Sequence, residues 1–558
     1  GGRALPKTHN PQAIMRIGEK AATADAIPWR EPGQTVDADY LRNGVLRYSA
    51  EDREIIGRNG TCFNNRPLYC DQSSDGVVLA GDQPLVRLIA RPYVHGAFAV
   101  AIARGNEAKW LHEFQQIESR YRCGRMIWRC TDPVLPGVNV TFDVVPLKEV
   151  AGFAARLRAT GLRTGGKLIG AFGGARRDED PRANWDPIMR GNPDICRSGD
   201  PRKPLLRHGW ISEWCRGNVA SVDGQTFRLA ASADATQIAV GRLDRTATLR
   251  VAEASASANP LALAVSKPDQ LPMVCGVSDL AGDEDEMFWT VETAPANAGS
   301  ATLRNTNPSE AFAVASAHLK EVECVQVRTP EPKLDAAVAA VCHAIDASCE
   351  RDPYIFLHGC MAFHIRFIGW RVICGATALG WHERVRGNAA HYFALQKKAD
   401  EIRIQPHPDI HRLFCHEGPE SRFYGRGSIA RDDHTMYDVQ SQLFDQTIRD
   451  WRWTADPDLE RILRPALELH LEWMKDCFDP DDDGLYESYI NTLPTDSVWY
   501  NGGGSAEESA YAYATHLAAR DLTRRAGDAE AAARHQARAE KIQRAMRELL
   551  WVKDRGHF

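Results

Sequence analysis

The chain has 558 residues, of which 44% are hydrophobic and 25% are charged, and its formal net charge is -6. A chain of this length is too long for one hydrophobic core, so the composition predicts a globular protein of two domains. The charge gives no indication of a nucleic acid or an anionic membrane as partner, and no apolar run approaches the ~20 residues that a membrane helix needs.

From about residue 45 to residue 320, the apolar residues recur with a period of two. Val138, Val140, Phe142 and Val144 alternate with polar residues, as a strand with one buried face requires. Similar short runs, separated by clusters of Gly, Pro, Asn and Asp, occur at residues 227–231, 249–251 and 288–291. This spacing predicts a large antiparallel β-sandwich.

One connection in this region is unusually long. The stretch FGGARRDEDPRANWDPIMRGNPD, residues 172–194, is charged and rich in Gly and Pro. Loops of this length inside a compact domain are usually functional or disordered. Two interpretations stay open: a lid that faces the substrate, and a solvated excursion.

The fourteen cysteines contain no CxxC pair, so neither a zinc ribbon nor a redox motif is indicated. Short spacings such as Cys62 with Cys70 and Cys123 with Cys130 permit disulfides without requiring them. We expect free thiols rather than oxidised pairs.

After Pro332 the period becomes that of a helix, because Leu334, Val338, Val341, Ile345 and Cys349 fall on one face. We place the domain boundary near residue 325, with a β-sandwich domain at 1–325 and a domain of helical hairpins at 326–558.

Helix boundaries can be predicted further along this second domain. A stripe of Val439, Leu443 and Trp451 predicts one helix. Asp456 is then the expected N-cap of the next, with Pro457 in its first turn. Three further signals are a capping box formed by Ser505 and Glu508, a C-cap glycine at Gly527 and an N-cap at Asp528.

Histidines are dense in the first part of the helical region. Eight of the eighteen lie there: His358, His364, His382, His391, His407, His411, His416 and His434. Only His407 and His411 have a familiar ligand spacing, and the prolines around His407 argue against a regular helix. We therefore predict no metal centre at these histidines.

Two segments of the same region offer candidate contacts to a sugar. Arg366 and Trp370 lie in HGCMAFHIRFIGWRVICGATALGWHE, where either core packing or sugar binding is a reasonable role. A Gly-rich loop, CHEGPESRFYGRGSIARDD, adds His416, Glu417, Tyr424 and Arg426. Arg426 would suit an acidic sugar, although a structural salt bridge is the more common role of a lone arginine.

The stretch DPDDDGLYESYINTLPTDSVWYNGGGSAEESAYAY, residues 479–513, joins two predicted helices. Its first part, Asp479, Asp481, Asp483 and Gly484, matches the start of an EF-hand loop. The bidentate Glu expected at the twelfth position is Ile490, so we predict a sharp acidic turn, with a Ca²⁺ site as the weaker alternative and otherwise no cofactor.

The second part of this stretch has the residue types of a sugar site. It holds Glu487, Asp496, Trp499, Tyr500 and Asn501, followed by three glycines. A carboxylic acid can protonate a glycosidic oxygen, aromatic rings can cover the apolar side of a sugar, and amides can bind hydroxyls. Beyond the glycines, Glu508 is assigned to the capping box, which leaves Glu507 able to reach a ligand.

The order of elements, together with GWRVICGATALGWHERV and TDSVWYNGGGSAEESAYAY, resembles the six-hairpin (α/α)6-barrel glycoside hydrolases, the glucoamylase-like and trehalase-like superfamily. The chain is most similar to an uncharacterised bacterial group of predicted glycosidases of this architecture. The resemblance implies an N-terminal β-sandwich (supersandwich) followed by an (α/α)6-barrel, and it favours a periplasmic or secreted location.

The resemblance also implies the position of the general acid. Glu487 in GLYES stands where glucoamylase-like members have their LWEE glutamate, whereas Asp496 in TDSVW stands where trehalase-like members have an aspartate. Asp496 is slightly favoured because aromatics and glycines follow it at once. At ~11 to 12 residues per helix, the chain from Lys333 onward supplies about seven of the twelve barrel helices, so we expect an incomplete barrel whose catalytic base lies outside this sequence.

The sequence thus predicts an inverting, exo-acting glycoside hydrolase that cleaves a complex polysaccharide or oligosaccharide. One alternative is a polysaccharide lyase, in which Tyr424 or His416 would take the C5 proton of a uronate while Arg426 neutralises its carboxylate. Another is a carbohydrate-binding protein without catalysis. The expected partner in each case is a carbohydrate, and the oligomeric state stays open.

Overall fold

The computed structural model describes residues 48–60, 66–70, 76–148, 150–162, 165–177, 210–244, 247–279, 282, 284–298, 307–357, 366, 368, 371–398, 425–429, 438–487 and 504–558. Within these ranges the strands, in chain order, are β1 (Tyr48–Glu51), β2 (Glu54–Arg58), β3 (Arg66–Tyr69), β4 (Gly76–Ala80), β5 (Leu85–Ala90), β6 (Tyr93–Arg104), β7 (Glu107–Trp110), β8 (Gln116–Arg122), β9 (Arg125–Thr131), β10 (Asn139–Pro146), β11 (Gly152–Thr160), β12 (Gly166–Gly173), β13 (Arg176–Arg177), β14 (Val219–Asp223), β15 (Thr226–Ala230), β16 (Gln237–Leu243), β17 (Thr248–Glu253), β18 (Pro272–Asp279), β19 (Glu284–Pro295), β20 (Cys349–Glu350) and β21 (Ile355–Phe356).

The strands form two large antiparallel sheets. The first has the order β1-β2-β8-β9-β10-β11-β19-β16-β15-β14, and the second has the order β17-β18-β12-β6-β5-β4-β3, with β7 and β13 also pairing with β6. The two sheets pack face to face: the Phe98 ring of the second sheet lies 6.0 Å from Phe142, 5.9 Å from Phe153 and 4.9 Å from Trp289 of the first. The predicted antiparallel β region is confirmed.

The predicted alternation along β10 is also confirmed, with one informative exception. Val140, Phe142 and Val144 are buried between the sheets. Asp143 points to the opposite face and is nevertheless fully buried. It accepts hydrogen bonds from Arg125 (2.9 Å) and Arg156 (2.9 Å), because a helix covers this face of the sheet and the buried carboxylate needs a charged partner.

The helices of the described chain are α1 (Pro260–Val265), α2 (Pro308–Val322), α3 (Pro332–Ala347), α4 (Val372–Ala378), α5 (His382–Leu395), α6 (Asp438–Thr454), α7 (Pro457–Phe478), α8 (Ala506–Arg525) and α9 (Ala529–Ala545). α2 is the helix that covers the first sheet. An extended segment, 323–331, joins α2 to α3, and the predicted boundary near residue 325 falls within it. The division into domains 1–325 and 326–558 stays a prediction.

The predicted apolar stripe of α3 is right for Ile345 and Cys349, which are buried, and wrong for Leu334 and Val341. Leu334 and Val341 are half exposed, at 51% and 50%, whereas Ala336, Ala339 and Cys342 are buried. α3 packs against β1, β2, β3 and β8, and small side chains allow the helix to approach the sheet closely. Leu334 and Val341 therefore lie on the side facing solvent, whereas Ile345 is buried in the core shared with the helices that follow.

Helix α3 lies close to the sheet at the turn between β8 and β9. Gly124 has a positive φ of 79°, and a Cβ at this position would lie 2.6 Å from the ring of His343 on α3. Nε2 of His343 accepts a hydrogen bond from the Tyr69 backbone N–H at 3.1 Å. His343 thus links the first helix after the extended segment to the β region.

Helices α4 to α8 share a core with Ile345 of α3. Tyr392 of α5, Leu443 and Phe444 of α6, Leu463 of α7 and Leu522 of α8 are buried in one apolar cluster. No helix in the described part of the chain is long and apolar enough to cross a bilayer. The structure is therefore a mixed β and α fold, while the barrel arrangement of its helices stays a prediction.

Three predicted helix ends are confirmed. The Asp456 side chain accepts a hydrogen bond from the Asp458 N–H at 2.8 Å, with Pro457 in the first turn of α7. Gly527 follows α8 with a φ of 82°, and Asp528 then caps α9 by accepting from the Ala531 N–H at 2.9 Å. These caps depend on residues close in sequence, so local signals suffice to predict them.

Candidate active site

The acidic turn after α7 is the first component of the site. The Asp483 carboxylate accepts from the Leu485 N–H at 2.6 Å, and Asp481 accepts from the Asp483 N–H at 3.4 Å. Asp482 and Gly484 have positive φ values of 61° and 95°. The carboxylates therefore satisfy the backbone of a tight turn, and the predicted sharp acidic turn is confirmed.

Arg538 of α9 holds this turn. Its guanidinium forms ion pairs with Asp479, which is fully buried, and with Asp482. Asp482 also accepts from Lys541 at 2.7 Å and lies 3.4 Å from Lys475. Hydrogen bonds from Lys541 and Arg538 hold the pKa of Asp482 well below its usual range. Three cations thus balance the acidic turn.

Among the described residues, only Asp479, Asp481 and Asp483 form a group that could hold a metal ion, with one carboxylate oxygen of each within 4.8 Å of the others. Ca²⁺ takes about six to eight oxygen ligands. Here Asp479 is paired with Arg538, and Asp481 and Asp483 accept backbone N–H groups. The group fits a turn held by Arg538 better than it fits a Ca²⁺ site.

Glu487 lies at the point where the chain leaves this turn. Its N–H donates to the Phe478 carbonyl at 2.6 Å, and it forms an antiparallel bridge with Gly504. The Ser505 N–H then donates to the Tyr486 carbonyl at 2.8 Å. Residues 487 and 504, which flank positions 488–503 in sequence, are therefore neighbours in the fold.

The Glu487 side chain is half-buried. Burial raises its pKa, and the nearby carboxylates of Asp481, Asp483 and Asp479 raise it further. A raised pKa keeps a carboxylic acid protonated closer to neutral pH, which is what a general acid requires.

Tyr486, the residue before Glu487, anchors this part of the chain in the core. Its side chain is fully buried in an apolar cluster with Trp473, Met474 and Phe478. Arg538 donates to its hydroxyl oxygen at 3.5 Å. Burial raises the pKa of Tyr486 to about 12, so its hydroxyl stays protonated near neutral pH. The same arginine therefore contacts the residue before Glu487 and the turn that precedes it.

The start of α8 lies next to Glu487, because Gly504 and Ser505 contact Glu487 and Tyr486. Ser505 caps the helix by accepting from the Glu508 N–H at 3.4 Å, as predicted. The Glu508 side chain, however, is fully buried and accepts from the Ser441 hydroxyl of α6 at 3.4 Å. The predicted capping box is therefore only half right. Glu507 is half-buried in the first turn of α8.

The burial of Glu508 had a signal in the sequence. Glu508 lies four residues before Ala512, and the positions that continue this row, Thr515 and Ala519, are also buried. A helical period starting at Glu508 would have placed it on the inner face.

Besides Glu507, two predicted sugar contacts are described, and both of these arginines take part in ion pairs. Arg366 donates to Glu350 at 2.8 Å. Arg426 donates to Glu472 of α7 at 3.1 Å and to the Lys398 carbonyl at 2.8 Å. Their roles in binding a sugar stay predictions.

The other predicted site residues lie outside the described residues; they are Trp370, His416, Glu417, Tyr424, Asp496, Trp499, Tyr500 and Asn501. Of the eight clustered histidines, His382 has a structural contact, since its Nδ1 lies 2.8 Å from the Asp450 carboxylate. Thr377 donates to the same carboxylate oxygen at 2.8 Å. This contact ties the start of α5 to α6.

Comparison with known proteins finds one family model, described as a domain of unknown function (DUF4450), which matches residues 91–315. That range lies in the β region and does not include Glu487. No curated protein matches the chain.

Two solved structures are similar over most of the chain. A bacterial glucoamylase complexed with acarbose has 10% sequence identity and a TM-score of 0.47, with 89% of this chain and 71% of that chain covered. A candidate kojibiose phosphorylase from the human microbiome has 8% identity and a TM-score of 0.42, with 90% and 70% covered.

Proposed function

We propose that this protein is a carbohydrate-active enzyme, and specifically an inverting, exo-acting glycoside hydrolase that acts on a complex polysaccharide or oligosaccharide. The observation that carries the proposal is the environment of Glu487. It is a half-buried carboxyl group with a raised pKa, and the sixteen residues that follow it in the sequence include Asp496, Trp499 and Tyr500.

The chemistry of such a site follows from its residue types. One carboxylic acid protonates the leaving oxygen, while a second carboxylate activates water on the opposite face of the sugar; in inverting enzymes the two lie roughly 6.5–9.5 Å apart. Glu487 is supported as the acid by its burial and its acidic neighbours, whereas Asp496 is supported by the sequence resemblance. Trp499, Tyr500, Asn501 and Glu507 would contact the sugar.

The test is an assay of the protein, within its full natural chain, against a panel of plant and microbial polysaccharides. Products are followed by sugar chromatography, by ultraviolet absorbance for unsaturated uronates and by NMR for the anomer first released. A saturated monosaccharide of inverted configuration supports the proposal. An unsaturated product would contradict it and move the chemistry to Tyr424 or His416 with Arg426, and a requirement for inorganic phosphate would make the enzyme a phosphorylase.

A matched set of variants identifies the acid. Glu487→Gln and Asp496→Asn are compared with Glu284→Gln, an exposed carboxylate of β19 that pairs with Arg158. Loss of the general acid is expected to reduce the rate about 10²- to 10⁴-fold on substrates with a poor leaving group. Full activity of both loop variants would contradict the assignment of either carboxylate.

A further inference from the structure

Three cysteines meet where the β region joins the helices. Cys123 lies in the turn after β8, Cys324 in the extended segment 323–331, and Cys342 on α3. Cys123 and Cys342 are buried in one apolar cluster with Val322 and Ala339, against which Val325 packs. The cluster thus brings together thiols that are far apart in sequence, and it is separate from the proposed active site.

Within this cluster Cys324 and Cys342 are neighbours. The Cys342 thiol donates to the carbonyl of Val325, the residue after Cys324, at 3.9 Å. The Cys324 thiol donates to the Leu379 carbonyl at 3.5 Å, and Leu379 packs against the same cluster. Burial raises the pKa of the Cys342 thiol, and the nearby Cys324 side chain raises it further.

The two thiols differ in their access to solvent. Cys324 is exposed, whereas Cys342 is fully buried. A soluble oxidant therefore reaches Cys324 first, and Cys342 can react only with a group already bound to Cys324. This asymmetry is typical of an attacking and a resolving cysteine.

We propose that Cys324 and Cys342 form a disulfide that fastens the extended segment 323–331 to α3 when the protein meets a disulfide oxidant such as glutathione disulfide. Nothing in the proposed hydrolysis requires this bond. It is a redox modification site at the joint between the β region and the helices.

The exchange proceeds in two steps. The Cys324 thiolate attacks one sulfur of glutathione disulfide, so a Cys324–glutathione bond forms, the bond between the two glutathione sulfurs breaks, and one glutathione leaves with the proton lost by Cys324. The deprotonated Cys342 sulfur then attacks Cys324, forming the internal disulfide and releasing the second glutathione. Two protein thiols are oxidised and one glutathione disulfide is reduced to two glutathione molecules.

The test is peptide mapping of the full chain after incubation with glutathione disulfide. Free thiols are alkylated, and the protein is digested with trypsin without reduction. Cleavage after Lys320, Arg328, Lys333 and Arg351 places Cys324 in the peptide 321–328 and Cys342 in the peptide 334–351. We expect these two peptides linked, with the loss of two hydrogen atoms, and the link should disappear on reduction.

Two features of the design make the result specific. The peptide 334–351 also contains Cys349, which is buried, so fragmentation must locate the link at Cys342. Cys324→Ser should abolish the link. Cys374→Ser, at the other exposed thiol among the described residues, should preserve it.

A second variant keeps the proposal testable if Cys324→Ser fails to fold. Cys342→Ala should leave glutathione attached to Cys324, because the resolving thiol is absent. The oxidised wild-type protein should also be cleaved more slowly by trypsin within 323–331 than the reduced protein, since the closed loop opposes local opening. A link from Cys342 to Cys123, or a lasting glutathione adduct on wild-type Cys324 without a link, would overturn the proposal.

Discussion

Arg538 of α9 donates to the fully buried carboxylate of Asp479, the C-cap residue that follows α7, across 59 positions of sequence. The same guanidinium contacts Asp482 and the hydroxyl of Tyr486. One side chain therefore fastens α9 to the turn that positions Glu487.

We predict that Arg538→Met strongly destabilises the protein, because it leaves the Asp479 carboxylate buried without its cation. Removing one partner of a buried ion pair costs about 3 to 5 kcal/mol. The measurement is the urea midpoint by circular dichroism. Arg534→Met is the matched control, since Arg534 on the same helix is 60% exposed and pairs with the exposed Glu530; its cost should stay below about 1 kcal/mol. Equal midpoints for the two variants would contradict the prediction.

Glu487 yields a prediction about pH. Asp481 and Asp483 raise its pKa through their negative charges, so the double replacement Asp481→Asn with Asp483→Asn should lower that pKa. If Glu487 is the acid, it must be protonated to act, and the loss of kcat/KM on the alkaline side should begin at a lower pH. The pH–rate profile on the substrate found by the panel is the measurement. An unchanged alkaline limb, with Glu284→Gln as control, would exclude Glu487 as the acid.

Buried histidines make the fold sensitive to acid. Burial lowers the pKa of His343 and of His95 to about 4, and those of His470 and His516 to about 3. The unfolded chain therefore binds protons that the folded chain does not. The stability these residues contribute is complete above pH ~6.5, and it is lost progressively as the pH falls towards these lowered values.

For His343 alone, the difference from the ordinary value corresponds to roughly 3 kcal/mol at the acid end. We expect the urea midpoint of the wild type to fall steeply between about pH 6.5 and pH 4. His343→Gln should lower the midpoint near neutral pH and reduce its further fall in acid. His557→Gln, at an exposed histidine, should leave the pH dependence unchanged. A flat midpoint for the wild type over this interval would contradict the prediction.

Gly427 should tolerate no side chain. It has a φ of 89°, and a Cβ there would lie 2.1 Å from the Leu469 carbonyl oxygen of α7. Its carbonyl also accepts from Gln396 and Gln440, each at 2.9 Å. Gly380 is the matched control because its φ is 77° and a Cβ there would meet nothing within 4 Å.

Gly380→Ala is expected to cost about 1 to 2 kcal/mol, from the backbone conformation alone. Gly427→Ala adds a clash with backbone, so its urea midpoint should be clearly lower than that of Gly380→Ala. Similar midpoints for the two variants would show that α7 can move away from Gly427.

Features with a local cause were predictable. Val140 and Phe142 alternate with polar residues because successive strand residues face opposite sides, and both are buried as predicted. Asp456 and Asp528 accept backbone N–H groups within three residues of themselves, so these helix starts are encoded in short stretches. The acidic turn at Asp483 belongs to the same class, since its contacts lie within two residues.

The tertiary structure decided the features that depend on distant neighbours. Leu334 is exposed because the sheet meets the small face of α3, and the hydrogen-bond donor to the buried Glu508 carboxylate, Ser441, comes from α6. Asp143 is charged and yet buried, because α2 covers its side of the sheet. The sequence by itself thus determined the period of each element, its caps and the chemical types in the Glu487 loop. Burial and ion pairing come from long-range packing, because each depends on which solvent the folded chain removes and which charges it brings near. The raised pKa of Glu487 has both origins, since its burial comes from packing and the charges of Asp481, Asp483 and Asp479 are close in sequence.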